Sequence, residues 1–364
     1  MKVIMTGGGT GGHIYPAIAI ADRIVDRNPQ AEILFVGTER GLEKELVPKN
    51  GYQIKFIDIA GISRKNPLKN VSVAKKYFKA KKDAKKIIQE FKPDVVIGTG
   101  GYVCGPVVKV AAQMGIRTCI HEQNATPGLT NKMLSNYVDT VFISFLDAGK
   151  KFKHKDKHIL SGNPVRDEFF KARKNTSREK LGISADEFVL LSFGGSQGAG
   201  RINKAMLEVV EKYNGVEGVT VVFATGKYYY KAINAELEDR NIKIEDNIRV
   251  LEYIDDMPTY LSAADLVVGR SGALTVSEIA VCGKPSILIP SPNVTGNHQM
   301  FNAKAIADKG GALILEEADL VDGALIAMVD KVKEDKEGLE EMAVKAKACA
   351  PLDATDIIFY TINE

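Results

Sequence analysis

The chain has 364 residues and a net charge of only +3, and 45% of its residues are hydrophobic. This length suits two domains, each with enough apolar residues for a core of its own. No apolar run approaches the roughly 20 residues that a membrane-spanning helix needs. A strand pattern begins at the second residue, so we expect no signal peptide. The four cysteines are scattered without metal-ligand spacing and are expected to be small buried residues. We therefore expect a cytosolic or peripheral protein of two domains.

A strand, a glycine-rich loop and a helix follow one another at the start of the chain. Residues 2–5 suit a buried strand, the first glycine loop covers 7–12, and a helical pattern covers 16–27. Glycines let the backbone approach a phosphate or a charged sugar closely, and the free N–H groups at the start of a helix favour negative charge. The segment therefore predicts a site for an anionic ligand, with His13 at the mouth of the helix.

The same glycines also fit the dinucleotide fingerprint. Gly7, Gly9 and Gly12 match its G-x-G-x-x-G spacing, which keeps an NAD-dependent enzyme as an alternative. A dinucleotide site requires an acidic residue at the end of the second strand. Glu39 is available there, but its presence is not diagnostic of such a site. The loop alone leaves two ligand classes open, a dinucleotide or another phosphate-containing molecule.

Strand and helix patterns alternate along the chain, which indicates an α/β fold with parallel sheets covered on both faces. Strands in the first half are predicted at 2–5, 32–37, 53–58, 94–98, 116–120, 140–144 and 157–160. The pattern breaks near 161–164, and a polar, charged segment at 166–180 leads to a new start. There a strand from 187 runs into the second glycine loop (194–198), and strands at 219–224, 248–252, 265–269 and 285–290 follow. We expect two doubly wound domains with ligands held in the cleft between them.

The most specific stretch of the second half runs from 265 to 278. A small turn at 271–273 starts a helix whose N–H groups suit a pyrophosphate. Glu278 lies on its second turn, where a carboxylate can accept hydrogen bonds from two ribose hydroxyls. The alternatives are an ordinary surface carboxylate at Glu278 and a structural ion pair at Arg270. The second glycine loop either binds phosphate through its amides or forms a tight turn.

Polar side chains also follow several predicted strands, where open α/β sheets bind their ligands. Residues 121–124 (His-Glu-Gln-Asn) and 297–302 supply amides that suit sugar hydroxyls. The third glycine loop (99–106) carries Tyr102, an aromatic ring that can stack on a sugar. Helix caps or turns are the alternative at each of these places. Arg166 follows an Asn-Pro turn, where a guanidinium can meet a diphosphate or form a salt bridge between domains.

The basic charge is concentrated in one segment, with eleven Lys or Arg and two acids between residues 62 and 92, so the rest of the chain is net acidic. A helix at about 67–90 is predicted to pack one apolar face on the sheet and to expose lysines with a few apolar residues on the other. Such a face suits an anionic membrane surface. A plain solvated face and generic nucleic-acid binding are alternatives, although no nucleic-acid-binding motif accompanies it. The expected membrane contacts are Leu68, Val71, Lys75, Phe78, Lys79 and Lys82.

These segments together resemble the MurG family, the bacterial UDP-N-acetylglucosamine:undecaprenyl-pyrophosphoryl-muramoyl-pentapeptide N-acetylglucosaminyltransferases. The resemblance rests on eight motifs, in this order over essentially the whole chain: GGGTGGHIYPAIA, GGYVCGP, HEQN, GNPVR, GGSQG, IDDM, RSGALTVSE and HQMFNA. It implies the GT-B fold, two Rossmann-like domains with an interdomain cleft and a final helix that crosses back onto the first. Residues 1–162 with about 350–364 would form the acceptor and membrane-side domain, and 163–349 would bind UDP-GlcNAc.

The binding residues of the family carry over to matching positions of this sequence. The resemblance implies donor contacts from Ile254 to uracil, from Ala273, Leu274 and Thr275 to the nucleotide and diphosphate, and from Glu278 to the ribose. It also implies Ser196 and Arg166 at the diphosphate, Gln299 at the sugar, and Thr10, Gly11, Gly12 and Asn124 from the opposite domain. The acceptor would lie against Gly9 and Tyr102. One position departs, because His298 stands where well-known members have glutamine.

The reaction implied by the resemblance is an inverting transfer of GlcNAc to the C4 hydroxyl of the MurNAc of lipid I. It forms lipid II for peptidoglycan synthesis, and hence for cell shape and division, at the cytoplasmic face of the membrane. Such a transfer needs a base for the acceptor hydroxyl and groups that stabilise the leaving UDP. His13 is the first candidate base and Glu122 the second, and neither a metal nor a cofactor is expected.

The expected partners are UDP-GlcNAc, lipid I and an anionic membrane surface, with no nucleic acid. Three alternatives from other classes stay open beside the transferase. A UDP-GlcNAc 2-epimerase shares the fold and the donor and would act without a lipid. An NAD-dependent oxidoreductase would explain the first glycine loop but not the motif at 271–278. A non-catalytic sugar-nucleotide sensor would bind the donor without turnover.

Overall fold

A computed structural model describes residues 1–61 and 69–364, without the side chains of 69–72 and 295. The chain divides into two compact units. The first unit comprises Met1–Arg166 and Pro351–Glu364, and the second comprises Asp167–Ala350.

The division falls a few residues after the boundary that the sequence suggested at 162. The reason lies in the hydrogen bonds of Asn163, which is fully buried in the first unit. Its Oδ1 accepts from Ser144 Oγ (2.8 Å) and its Nδ2 donates to the carbonyl of Gln123 (3.2 Å). The segment after the last strand of the first sheet therefore still belongs to the first unit.

Seven parallel strands form the sheet of the first unit. They are β1 (Lys2–Gly7), β2 (Glu32–Gly37), β3 (Gln53–Phe56), β4 (Val95–Gly100), β5 (Arg117–Glu122), β6 (Thr140–Ile143) and β7 (His158–Leu160). The helices between them are α1 (Gly11–Arg27), α2 (Glu43–Lys49), α3 (Lys69–Phe91), α4 (Cys104–Gln113), α5 (Leu129–Leu134) and α6 (Leu146–Gly149). The strand order is β3-β2-β1-β4-β5-β6-β7, so the direction of winding reverses between β1 and β4.

Both faces of this sheet are covered, as the sequence predicted. Successive side chains of a strand point to opposite faces. Ile4 of β1, whose neighbours in register are Leu34 and Val96, belongs to the core on one face. Val3 and Met5 belong to the core on the other face. The near-continuous apolar sequence of these strands therefore reflects burial on both faces of the sheet.

Helix α1 begins at Gly11, five residues before the predicted start. The carbonyl of Thr10 accepts from the N–H groups of His13 (3.1 Å) and Ile14 (3.3 Å), which closes the first turn. Glycines and Pro16 are poor helix formers, so propensity placed the start too late. The buried face that starts with Ile14 packs on the sheet and overrides that propensity. His13 is consequently held on the first turn of a helix rather than in the loop.

Helix α3 packs on the sheet through the apolar face that the sequence predicted. Ala80, Ala84, Ile87 and Ile88 are buried, and Tyr77 packs partly against the same core. Phe78, on the opposite side, is 71% exposed. Among the described residues no helix is both long and apolar enough to cross a membrane.

Six parallel strands form the sheet of the second unit. They are β8 (Phe188–Phe193), β9 (Val219–Ala224), β10 (Ile248–Leu251), β11 (Leu266–Gly269), β12 (Ser286–Leu288) and β13 (Leu313–Ile314). The helices of this unit are α7 (Asp167–Lys171), α8 (Lys174–Leu181), α9 (Gly200–Tyr213), α10 (Tyr230–Asp239), α11 (Met257–Ala263), α12 (Ala273–Cys282), α13 (His298–Ala307), α14 (Ala324–Glu334) and α15 (Lys336–Lys347). The order β10-β9-β8-β11-β12-β13 repeats the winding of the first sheet, with its reversal between β8 and β11.

The polar segment at 166–180 forms the short helices α7 and α8. Phe169 of α7 and Arg178 of α8 are each only 2% exposed. The guanidinium of Arg178 donates to the carbonyl of Ala263 (3.1 Å) and to Asp265 Oδ2 (2.6 Å), so its charge is paired where it is buried. The segment therefore forms two packed helices despite its charged composition.

The last helix, α16 (Ala354–Asn363), belongs to the first unit. Ile358 and Ile362 are buried in the same core as Val3 and Met5 of β1. Arg117, at the start of β5, donates to the carbonyls of Thr361 (2.6 Å) and Ile362 (3.2 Å).

Candidate active site

The first and third glycine loops lie side by side at the carboxyl ends of β1 and β4. An open parallel sheet binds its ligand at such a reversal of strand order. The N–H of Gly8 donates to the carbonyl of Gly100 (3.3 Å). A Cβ on Gly101, whose φ is +83°, would lie 2.5 Å from the carbonyl oxygen of Gly8. The two loops therefore touch backbone to backbone, a contact that requires glycine.

A buried carboxylate lies beneath the first glycine loop. Glu43, at the start of α2, is only 1% exposed. Its Oε2 accepts from the N–H of Gly9 (2.9 Å), and its Oε1 accepts from the N–H (2.9 Å) and the hydroxyl (2.6 Å) of Thr38. One loop amide is therefore already bound to a negative charge. A pyrophosphate on this loop would be repelled by Glu43, which disfavours the dinucleotide interpretation.

The imidazole of His13 is held in a defined orientation. Its Nδ1 lies 3.1 Å from the carbonyl oxygen of Thr99 and 3.2 Å from Oε1 of Gln123. Both partners are acceptors in this arrangement, so Nδ1 carries the hydrogen and Nε2 of the neutral ring keeps its lone pair. His13 is half-buried, on the first turn of α1. A histidine with a free Nε2 lone pair can take a proton from a ligand hydroxyl.

Behind His13 lies a second, fully buried imidazole. His121, on β5, has Nδ1 3.0 Å from Nε2 of Gln123 and Nε2 2.9 Å from the carbonyl of Gly162. Burial lowers the pKa of His121 to about 4, so the ring is neutral at physiological pH. Since the Gly162 carbonyl can only accept, the hydrogen of His121 resides on Nε2.

Glu122, the second candidate base, points into a turn and is 1% exposed. One oxygen accepts from the N–H (3.0 Å) and the side-chain amide (3.2 Å) of Asn124. The other accepts from the N–H of Gly128 (3.0 Å) and from Nδ2 of Asn131 (2.8 Å). Four hydrogen bonds thus fix the turn that presents Asn124. One of the donors, Asn131 on α5, was not predicted from the sequence.

The other site residues expected in the first unit lie around the glycine loops. Thr10 and Gly12 are exposed and Gly11 is half-buried at the start of α1. A Cβ on Gly9 would lie 4.0 Å from the ring of Tyr102, so the two expected acceptor contacts are neighbours. Arg166 stacks its guanidinium over the ring of Tyr15, 4.8 Å from the ring centre.

The second glycine loop lies at the reversal point of the second sheet. A Cβ on Gly198, whose φ is +79°, would lie 2.0 Å from the carbonyl oxygen of Thr225, so the loop packs directly on the end of β9. Asn203 of α9, which the sequence did not single out, is buried and donates to the same carbonyl (2.9 Å). Ser196 is half-buried at the tip of this loop.

Beside that loop, β11 leads into α12 through a turn tied to α13. Ser271 is buried, and its hydroxyl donates to the carbonyl of Gln299 (2.8 Å). The side-chain Oε1 of Gln299 accepts from the N–H of Ser291 (2.8 Å). Gly272 occupies the N-cap position of α12. Helix α12 therefore presents its N-terminus next to a fixed amide, an arrangement that suits an anion joined to a sugar.

Of the remaining donor residues expected here, Ala273, Leu274 and Thr275 form the first turn of α12, Glu278 is half-buried on its second turn, and Ile254 is 4% exposed before α11. Arg270 forms an ion pair with Glu317 and donates to the carbonyl of Ile289 (3.1 Å). The structural alternative for Arg270 is therefore confirmed.

In residues 1–61 and 69–364 there is no group of three or more His, Cys, Asp or Glu that could hold a metal ion. The four cysteines are free; Cys104 and Cys119 are buried, whereas Cys282 and Cys349 are only partly buried.

Two family models match the chain. The glycosyltransferase family 28 N-terminal domain matches residues 3–143, and the glycosyltransferase family 28 C-terminal domain matches residues 189–356. Together they cover most of both units. The fold and the glycine loops are thus those of a glycosyltransferase with two Rossmann-like domains.

Curated relatives match over the full length. A UDP-N-acetylglucosamine--N-acetylmuramyl-(pentapeptide) pyrophosphoryl-undecaprenol N-acetylglucosamine transferase of Acetivibrio thermocellus is 46% identical over 364 residues, which cover 100% of this chain and 98% of the relative. The transferase of the same name from Clostridioides difficile is 45% identical over 361 residues, 99% of this chain and 88% of the relative. The chain therefore belongs to this family of N-acetylglucosaminyltransferases, the MurG family that its motifs predicted.

Solved structures confirm the GT-B fold. The crystal structure of Acinetobacter baumannii MurG covers 100% of this chain and 99% of its own, with a TM-score of 0.74 and 29% identity. A UDP-GlcNAc 2-epimerase from Neisseria meningitidis bound to UDP-GlcNAc covers 100% of both chains, with a TM-score of 0.71. Its identity is only 16%, so that likeness concerns the fold alone.

Proposed function

We propose that this chain transfers GlcNAc from UDP-GlcNAc to the C4 hydroxyl of the MurNAc of lipid I and so forms lipid II with inversion at the sugar. The single observation that carries the proposal is the full-length similarity to transferases named for this donor and this acceptor, 46% identical in one case. The site residues add a chemical reason, because a histidine with a free lone pair lies at one reversal point and a helix N-terminus at the other.

For the donor, we assign the diphosphate to the N-terminus of α12 and to the second glycine loop. The N–H groups of the first turn of α12 can donate to phosphate oxygens, and the helix dipole favours their charge. Glu278 would accept from the ribose hydroxyls, Gln299 would bind the GlcNAc hydroxyls, and Ile254 would contact uracil. The remaining donor contacts of the proposal are Ser196, Arg166, Thr10, Gly11, Gly12, Ala273, Leu274, Thr275 and Asn124.

For the chemistry, we assign the base to Nε2 of His13. The proton of the acceptor C4 hydroxyl moves to Nε2, the oxygen forms a bond to C1 of GlcNAc, and the C1–O bond to UDP breaks with its electron pair on the leaving phosphate. Attack from the opposite face inverts C1. The hydrogen on Nδ1 faces two neutral acceptors, which stabilise the imidazolium as it forms. Glu122 acts in this scheme by holding the turn that presents Asn124.

For the acceptor, we assign the sugar to the rim formed by Gly9 and Tyr102. The carboxylate of Glu43 lies just beneath this rim and would repel the pyrophosphate of lipid I. We therefore assign the sugar, rather than the pyrophosphate, to the first glycine loop.

For the membrane contact, we define the α3 surface cluster as Lys75, Phe78, Lys79 and Lys82, all of them exposed. A Cβ on Gly105 would lie within 4 Å of both Tyr77 of α3 and Thr130 of α5, so α3 and α5 flank the same spot. On α5, Leu129 and Met133 are more than half exposed.

The cluster combines three lysines with the exposed Phe78, and the exposed Leu129 and Met133 lie on α5. Each basic residue near anionic headgroups contributes about 1 kcal/mol. This supports peripheral binding to the anionic cytoplasmic face of the membrane. Leu68 lies outside the described residues, as does the side chain of Val71, so neither adds to the argument.

The experiment that tests the proposed function measures UDP release from UDP-GlcNAc with and without a lipid I analogue, together with the mass of the lipid product. We expect release that depends on the acceptor and a product heavier by one N-acetylhexosamine. Consumption of the donor without the acceptor would instead indicate an epimerase or a hydrolase. Tight UDP binding without any consumption would indicate a sensor. Either of these results would refute the transferase proposal.

A further inference from the structure

We propose that Gln123 is a positioning residue that, together with the carbonyl of Thr99, sets the tautomer of His13, so that the hydrogen stays on Nδ1 and the lone pair on Nε2. The inference rests on the proposed function in that it takes His13 as the base. It concerns a residue that neither touches the sugar nor titrates.

The orientation of the Gln123 amide is fixed by its nitrogen. Nε2 lies 2.7 Å from the carbonyl oxygen of Thr99 and 3.0 Å from Nδ1 of His121. The Thr99 carbonyl can only accept, so the NH₂ group must face it, and a flipped amide would bring two oxygens together. The carbonyl Oε1 is therefore the end that faces His13. Since Gln123 is 2% exposed, water does not compete for these contacts.

His121 secures the other donor of the Gln123 amide. Its Nε2 hydrogen donates to the carbonyl of Gly162 (2.9 Å), which leaves Nδ1 as an acceptor for the amide of Gln123. The ring is 0% exposed, and its burial keeps it neutral. If His121 were protonated, Nδ1 would become a donor. The side-chain amide of Gln123 would then have to flip to present its oxygen to Nδ1.

The four groups form one directed chain of hydrogen bonds: His13 Nδ1–H to Gln123, Gln123 N–H to His121, and His121 Nε2–H to Gly162. Such a chain is cooperative, because each bond polarises the next in the same direction. It takes the place that a carboxylate has behind many catalytic histidines. Here the nearby carboxylate, Glu122, is fully engaged by its own turn.

The experiment uses the full-length protein labelled with ¹⁵N-histidine, in mildly alkaline buffer, in which free imidazole is uncharged. The five histidines are assigned by single replacements, His13 by His13→Asn. The shifts of the two ring nitrogens report which one carries the hydrogen. We expect Nδ1–H at His13 in the wild type. In Gln123→Met, which keeps the length of the side chain without its polar atoms, we expect Nε2–H to appear beside Nδ1–H. Nδ1 then keeps the carbonyl of Thr99 (3.1 Å) but loses the oxygen of Gln123 (3.2 Å).

Turnover with the lipid I analogue is measured on the same samples. In Gln123→Met we expect kcat to fall several-fold, in proportion to the fraction of His13 that has lost Nδ1–H, with an unchanged KM for UDP-GlcNAc. Gln113→Met replaces an exposed glutamine and serves as the matched control, with wild-type spectra and turnover.

Two results would overturn the inference: an Nε2–H tautomer at His13 in the wild type, which needs no variant, or an unchanged tautomer in folded Gln123→Met. A changed tautomer with unchanged kcat would confirm that Gln123 sets the tautomer and would instead remove His13 as the base. Failure of this inference and failure of the proposed function are therefore distinguishable.

Discussion

Replacing Glu43 by glutamine keeps the shape of the side chain and removes its charge beneath the first glycine loop. In the native protein the two carboxylate oxygens accept three hydrogen bonds, one from Gly9 and two from Thr38. A glutamine has one oxygen and one NH₂ group in their place. In either orientation of the amide, at least one buried N–H or hydroxyl donor meets another donor.

The expected loss of stability can be worked out from these contacts. One donor left unsatisfied in a buried site costs about 1–3 kcal/mol. Each remaining bond also weakens from a charged to a neutral acceptor, by roughly 1 kcal/mol. With two bonds remaining, we expect Glu43→Gln to lower the unfolding free energy of the first unit by about 3–5 kcal/mol. For a unit of this size that is a fall in Tm of roughly 6–20 °C.

Differential scanning calorimetry gives the Tm, and hydrogen exchange with mass spectrometry shows whether the loss is local. We expect faster exchange in peptides that cover β1, the first glycine loop and β2, and unchanged exchange in the second unit. Glu45→Gln, an exposed change on the same helix, is the matched control and should stay within about 0.5 kcal/mol. A Tm for Glu43→Gln equal to that of the control would refute the role of this carboxylate.

Three further predictions follow from other parts of the molecule. Gly100→Ala should lower kcat about 10²-fold without weakening UDP binding, because a Cβ there would lie 2.6 Å from Nδ1 of His13; normal turnover would contradict it. Replacing the α3 surface cluster with serines should weaken binding to anionic vesicles at least tenfold and leave UDP-GlcNAc affinity intact, so equal sedimentation with vesicles would exclude the membrane assignment. The stability of the first unit should fall as the pH drops from about 6.5 towards 4, because His121 takes up a proton only when unfolded. Urea titrations at several pH values should show that the unfolding free energy of His121→Gln depends less on pH than that of the wild type. An equal dependence on pH would assign the effect to other groups.

The sequence was sufficient for the positions of most strands along the chain and for the buried face of α3, because both depend on local periodicity. The strand pattern at residues 2–5 and 32–37 and the apolar face of α3 are examples that the structure confirms. The two-residue strand β13 was not predicted, since it is too short to show a period. The glycine loops were also visible, since glycine and strand ends mark them without any knowledge of distant residues.

The sequence was insufficient where a side chain acts on a distant part of the chain. Glu43 binds Gly9 across 34 positions, and Gln123 reaches His13 across 110. Neither contact leaves a periodic pattern in the sequence by which it could have been predicted. The start of α1 was misplaced for a related reason, because packing on the sheet outweighs the poor helix propensity of Gly11 and Gly12.

The docking of α16 has a consequence for how the protein is made. The first unit needs Ile358 and Ile362 to complete the core around β1 and α1, and Arg117 needs the last carbonyls of that helix. All the residues of the second unit are synthesised in between. On the ribosome the domain that is started first is therefore finished last, and one apolar face of α1 stays uncovered while the second domain folds. An apolar face left open in this way favours aggregation until α16 has been made and covers it.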